Sequence, residues 1–428
     1  MEEQFLHFVW QHQYFDHQEL ITDDKLPITI SHPGHRNSNS GPDFLNAKLE
    51  IGAIEWHGHV EIHVKSSDWH AHNHSADESY QNTILHVVWS NDQAVYRIDG
   101  SEIATLSLKG RVKPSIYDRF RKLVKSPATI PCGPQLREVD SVIKTSLLER
   151  VLVERLIVKS RTILELLQIN HGDWEETTYQ VLGRNFGFKT NGDTFFELTK
   201  SIPFKVLLKH SKDQIQTEAL LFGQAGFLEE SNKDSYSQKL LSEYNFLKSK
   251  YRLEPRVSLH RWKFLRMRPA NFPSIRLAQF ASLLNSQSSL FSWILNSSDT
   301  KRLILDLQIA QSDYWKSHYK LGERSTSKIH SVGNSSAINI VINSIVPIFA
   351  AYSQTIDDSR IMDTAVALLI NLNPENNKIT RIYGDLGWLP INGADSQGFI
   401  QLYNNYCLKK RCLYCNVGAQ LLKDSNGF

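Results

Sequence analysis

Between residues 54 and 65 the side chains change in kind at every step: Trp56, Gly58, Val60, Ile62 and Val64 are interleaved with His57, His59, Glu61, His63 and Lys65. A period of two belongs to an extended strand, whose successive side chains point to opposite faces, and a helix cannot satisfy it. One face of this strand is mostly apolar and meets a core. The other gathers three imidazoles, a carboxylate and an amine, which are costly to bury without partners or a task. That polar face is the expected floor of a functional site. Asp43, directly after Gly41-Pro42, is close enough in sequence to join it.

The neighbouring segments read as a sheet built around this strand. Residues 44–51 form a second strand, joined to it by a tight hairpin at Gly52-Ala53, and residues 27–30 a short one. The near-continuous apolar run 84–90, broken only by His86, predicts a central strand covered on both faces. Segments 95–98 and 103–108 extend the sheet. Residues 2–21 carry Phe5, Phe8, Val9, Trp10, Tyr14 and Phe15 at helical spacing. Residues 32–41 are a polar loop of turn formers, Ser38 among them, and residues 66–74 leave the strand pattern before Ser75 caps a short helix to residue 80.

A chain of 428 residues exceeds what one core usually holds, so two or three units are expected. After residue 114 the pattern turns helical. A basic helix spans 115–125, and the linker that follows carries Pro127, Pro131 and Pro134. From residue 139 onward three-four spacing dominates. The expected fold class is α+β: a strand-rich mixed sheet domain at 1–125, a Pro-rich linker at 126–138, and an all-helical domain at 139–428 ending in a cysteine cluster. The net charge of +3 is too small to imply nucleic-acid binding without local clustering. Met1-Glu2-Glu3-Gln4 lacks the basic start of a secretory signal. The greasy stretch 337–352 is interrupted by Asn339, Asn343, Ser344 and Pro347, and reads as a buried helix rather than a membrane span. A cytoplasmic protein without a membrane partner, its cysteines reduced, is the expectation. No feature sets an oligomeric state.

Three constellations carry chemistry. Asp43 and Glu61 would make a hard oxygen site for magnesium or manganese, able to polarise a phosphodiester and acidify water. The histidines offer a nitrogen-rich alternative suited to zinc, manganese or iron. His70, His72 and His74 stand between Asp68 and Asp77, His86 follows, and His57-Gly58-His59-Val60-Glu61 resembles the H-x-H and carboxylate of a cupin barrel. The residues from His57 to His86 hold seven of the chain's seventeen histidines. Cys407, Cys412 and Cys415, with distant Cys132, form the third set; the x-x spacing of Cys412 and Cys415 lets two thiolates meet one metal, zinc before an iron–sulfur cluster. Arg261, Lys263, Arg266 and Arg268, in a run from Arg256 to Arg276 interleaved with Trp262 and Phe264, are candidate nucleic-acid contacts. Phosphate-loop, dinucleotide, nucleophile-elbow and kinase motifs do not occur.

Pro42-Asp43 ahead of a strand, with Glu61 on the next, resembles the PD-(D/E)XK nuclease superfamily. The resemblance implies a restriction-endonuclease-like sheet and a metal-dependent phosphodiesterase acting on nucleic acid, with Asp43 and Glu61 as its acids. The lysine position is occupied by His63. Lys65 lies two residues on, about 7 Å along the strand. The cysteine layout is similar to the iron–sulfur staple of some nucleases in that superfamily. Taken together, GPDFLNAKLEIG, VEIHVKSSDWHAHNH, ILHVVW, RPANFPSIRLAQ and YCLKKRCLYCNVG resemble a bacterial family found mainly in Bacteroidetes, domain of unknown function 2851. The expected catalytic residues are Asp43, Glu61, His63 and Lys65, and the expected metal ligands Asp43, Glu61, His72 and His74. Two other function classes stay open: a non-catalytic nucleic-acid or protein-binding scaffold with structural zinc, and a histidine-ligated metalloenzyme.

Overall fold

The computed structural model describes residues 1–423 apart from 38, 230–233, 255–256 and 298. Ser38 of the polar loop and Arg256 at the head of the basic run therefore lie outside the described residues. The chain divides into two compact units, one of Met1–Leu148, Lys378–Leu389 and Phe399–Phe428, the other of Glu149–Asn377 and Pro390–Gly398. The linear division expected from sequence is thus replaced by an interleaved one. The Pro-rich segment and the C-terminal cysteine segment both fall in the unit that holds the strands.

The first unit opens with α1 (Glu3–Gln11), in which every residue from Phe5 to Trp10 is buried. The helix is shorter than its aromatic content suggests. Gln13 adopts φ 55°, which a continuing helix cannot accommodate, and Phe15 folds back to stack on Trp10 at 5.9 Å. Six strands follow: β1 (Ile28–His32), β2 (His35–Arg36), β3 (Phe44–Ile51), β4 (Ile54–Lys65), β5 (Thr83–Ser90) and β6 (Thr105–Ser107). Their order is β1-β3-β4-β5-β6, with β2 paired to the start of β3. β1, β3 and β4 are mutually antiparallel, whereas β4–β5 and β5–β6 are parallel. β5 is central and its first six residues are buried. Segment 95–98 does not join the sheet; Tyr96 makes an isolated bridge to Glu102.

Two local features position the polar face. The register of β3 on β4 shifts between Phe44 and Ala47, where Asn46 takes φ 58°. This bulge lets Phe44 and Ala47, three residues apart, both enter the core and turns Asp43 toward the Glu61 side of β4. After β4, Asp92 accepts hydrogen bonds from Ser66 Oγ (2.9 Å) and the Ser67 N–H (2.9 Å). The chain then runs through α2 (Asp68–Ala71) and two 3₁₀ turns before entering β5. A parallel neighbour requires such a crossover. Here it carries the histidines back over β4.

α3 (Pro114–Lys125) closes the strand-rich part, and α4 (Ser141–Ile169) leads into the second unit. That unit is mostly helical around one large apolar core, with a single small hairpin, His318–Lys320 with Glu323–Arg324, among the described residues. The apolar stretch expected to be a buried helix is one: Asn334–Ile356 is long and apolar enough to cross a bilayer, yet 67% of its most apolar window is buried in the protein. Pro347 lacks the N–H that would bond to the Asn343 carbonyl. The helix relaxes there into a π turn, Val341–Ile345, and Asn185 Nδ2 donates to that carbonyl at 3.3 Å instead.

Candidate metal centre

Glu61 and His63 sit on the buried half of the polar face of β4, 5% and 1% exposed. Parallel pairing sets His86 of β5 opposite Glu61, and the crossover returns His72 and His74 to the same place. One ligating nitrogen from each of His63, His72 and His74 lies within 4.8 Å of the other two. His63 Nε2 is 3.1 Å from His72 Nδ1. Glu61 Oε1 is 3.6 Å from His63 Nε2 and 3.4 Å from His74 Nε2. Two ligands on a tetrahedral zinc ion, each ~2.0–2.1 Å away, stand about 3.3 Å apart. The observed separations therefore approach the edges of a coordination polyhedron before any ion is considered.

The surroundings hold these rings in place. His63 Nδ1 and His86 Nε2 are hydrogen-bonded at 2.8 Å. With the shared proton on His63 Nδ1, the lone pair of Nε2 points into the site, the outer-shell arrangement that orients ligating imidazoles. His74 stacks on Tyr80 at 3.9 Å and meets Trp69 edge-on at 5.3 Å. Its Nε2 is buried and faces Glu61 Oε1 at 3.4 Å without a well-formed hydrogen bond, an expensive condition unless something else completes it. His72 is exposed and forms the open corner of the triad.

Electrostatics favour a cation here. Burial, reinforced by repulsion from His74 and His72, pushes His63 down to about 4, so the ring is neutral and its lone pair available at neutral pH. His86 is likewise driven well down, by burial first and then by His63 and His74. Burial raises Glu61, His74 partly offsets this, and nearby Asp43 adds to the rise.

Asp43 reaches Glu61 through the backbone: its N–H donates to Glu61 Oε2 at 2.9 Å. Its carboxylate is engaged elsewhere. Arg36 Nη1 donates to Oδ1 at 2.6 Å, His7 Nε2 lies 2.9 Å from Oδ2, and the Ile62 N–H donates to Oδ2 at 3.2 Å. Burial alone would raise the Asp43 pKa, but the bond and charge of His7 and the Arg36 guanidinium bring it net below the ordinary carboxylate value. Asp43 and Glu61 are thus adjacent, as their sequence context suggests, while Asp43 serves Arg36 and His7 rather than the nitrogen cluster. His7 and Arg36 were not singled out in the sequence. One lies within an aromatic helix, the other in a turn-rich loop, and neither context has a diagnostic spacing.

The remaining expected residues separate. Lys65 is exposed at the end of β4. His57 is exposed and paired with Glu55 at 2.8 Å, and the sheet is open, so the cupin-like reading does not hold. His70 and Asp77 are exposed outside the triad.

A family model described as "Protein of unknown function (DUF2851)" matches residues 3–378. The chain belongs to this family. The DUF2851 match takes in every residue of the imidazole and carboxylate cluster, together with Cys132, and ends before Cys407. No curated protein matches the chain, and neither does any solved structure.

In this DUF2851 chain the basic run is not a free aromatic-cation track. Trp262 is buried and donates to the Ala225 carbonyl at 2.8 Å. Arg276 is buried and bonded to Gln279, Asn271 and Ser336. Arg261, Lys263, Arg266 and Arg268 are exposed, and Arg261 pairs with Glu197.

Proposed function

We propose that the protein is a metal-dependent hydrolase of phosphodiesters, with its ion held by His63, His72 and His74 and completed by Glu61. The observation that carries this reading is the convergence of three imidazole nitrogens with Glu61 Oε1 at near-coordination spacing. A donor set of three nitrogens and one carboxylate suits zinc, manganese or iron better than magnesium. Such an ion, when bound, polarises a phosphoryl oxygen and lowers the pKa of water.

The chain supplies the rest. Glu61, its pKa raised by burial, is suited either to ligate or to take the proton of attacking water. His86 holds the tautomer of His63. Arg36, clamped by Asp43 but partly exposed, offers a guanidinium to an anionic substrate. The phosphodiester class rests on the likeness to PD-(D/E)XK nucleases: Asp43 heads one strand and Glu61 lies on its antiparallel neighbour. The departure at the lysine position, His63, is what turns an oxygen site toward nitrogen ligands.

Hydrolysis of bis-p-nitrophenyl phosphate, single-stranded DNA and RNA is to be measured with zinc, manganese and magnesium for the wild type, Glu61→Gln and His72→Ala. Metal-dependent turnover in the wild type that falls at least tenfold in both variants is expected. Absence of turnover with every metal, or equal rates in all three proteins, removes the proposal.

A further inference from the structure

The four cysteines of the chain come from two separate segments of the first unit and line one small cavity. Cys132 ends the Pro-rich segment, ahead of a 3₁₀ turn, Gly133–Glu138. Cys407 closes a π turn, Tyr403–Cys407, Cys412 opens the 3₁₀ turn Cys412–Tyr414, and Cys415 precedes the helix Asn416–Leu422. All four are thiols rather than disulfides. The cavity between them is about 20 Å³, enough for one water-sized body. From these placements we infer that Cys132, Cys407, Cys412 and Cys415 form a second, thiolate-held metal centre, independent of the histidines, that ties the C-terminal segment to the Pro-rich segment.

Three features support a ligand here rather than chance packing. Tyr383 Oη lies 3.2 Å from Cys407 Sγ, where its phenol can donate to a thiolate and orient it, as outer-shell partners do. Arg411 lines the same cavity and offsets the negative charge that four thiolates on one divalent ion leave. Gly418 allows the last helix to abut the Cys412 carbonyl, because any β-carbon at 418 would collide with it. Burial first, and then repulsion from Cys415, push the Cys407 and Cys412 thiols up to about 12 and about 11, with the Tyr383 hydrogen bond offsetting part of the rise at Cys407. On binding, each ligating sulfur releases its proton to solvent as its bond to the metal forms, with no change of oxidation state for zinc.

The imidazole triad meets the 4.8 Å spacing and no trio of cysteine sulfurs does, whereas sulfurs on a tetrahedral zinc ion stand about 3.8 Å apart. On binding, the sulfurs would shift inward to that spacing. An iron–sulfur cluster uses the same four thiolates with wider spacing.

The full chain, purified without oxygen from medium containing both zinc and iron, is to be analysed for metal per chain beside Cys407→Ser, Cys412→Ser and His72→Ala. One metal equivalent lost in the cysteine variants and retained in His72→Ala is expected. Zinc without colour identifies a single ion, and iron with acid-labile sulfide and visible absorption identifies a cluster; either supports the centre. A measurement on the wild type guards against misfolded variants: chelator should raise the rate at which iodoacetamide modifies these thiols at least tenfold. Metal content identical across all four proteins, together with alkylation indifferent to chelator, overturns the inference.

Discussion

Replacing His72 with alanine isolates the imidazole centre, because His72 is its exposed corner while His63 and His74 are buried. An ion that binds only the folded chain stabilises it by RT ln(1 + [L]/Kd), about 2.7 kcal/mol at a hundredfold excess over Kd. For a unit of roughly 150–250 residues each kcal/mol moves the melting midpoint by ~2–4 °C. Zinc or manganese at that excess should raise the wild-type midpoint by roughly 5–10 °C. Loss of even an outer-shell partner weakens metal binding by about 10–100-fold. A hundredfold loss would leave RT ln 2, about 0.4 kcal/mol, and a shift of ~1–2 °C at the same concentration. In chelator the two proteins should melt within ~0.5 kcal/mol of each other. Proton competition at His63 is negligible at neutral pH, since burial holds its pKa at about 4. The assay is thermal melting with and without added metal. Any contribution from the cysteines is common to both proteins and cancels. An equal metal-induced shift in wild type and His72→Ala would refute the imidazole centre.

Two further outcomes test the second unit. Lys159 is pushed down to about 7 by burial first and then by Arg155, so the unfolded chain holds its proton over a pH range where the folded chain has lost it. The penalty is full below about pH 7 and eases as pH rises toward the free-lysine value of ~10.4; the stability of wild type relative to Lys159→Met should therefore climb by about 2–3 kcal/mol between pH 6 and 9. A difference in urea-unfolding free energy that does not vary with pH contradicts this. In Gly223→Ala the added methyl would land on the ring of Tyr244, and overpacking of this kind costs about 1–3 kcal/mol, well above any gain in helix propensity. An unchanged denaturation midpoint would show that the helix Gln214–Gln224, which carries Gly223, and the helix Ser235–Tyr251, which carries Tyr244, separate freely.

The sheet was legible where the side-chain period was unbroken. β3 and β4 match their expected bounds residue for residue, because a clean alternation ends at Gly52, whose φ of 66° suits a tight turn. β5 was legible from its apolar run. Segment 95–98 failed for a complementary reason: four apolar-leaning residues lack the length to compete for a place in the ladder, and only Tyr96 pairs. In the basic run the sequence shows charge and aromatic content but not their direction, so Trp262 and Arg276, both buried, could not be told from the exposed Lys263 and Arg268.

Local pattern alone determined that this chain has a strand with one ionisable face, that its first part is sheet and its second mostly helix, and that histidine is concentrated beside that strand. Those properties follow from interactions between residues a few positions apart. Which donors meet was settled by tertiary structure. The bulge at Asn46 turned Asp43 toward Glu61, the crossover held by Asp92 brought His72 and His74 over His63, and the return of the C-terminus placed Cys407, Cys412 and Cys415 beside Cys132. These contacts span from about ten residues within the sheet and its crossover to nearly three hundred at the cysteines, and they are created by burial of the sheet and the closing of its connections rather than by any spacing along the chain.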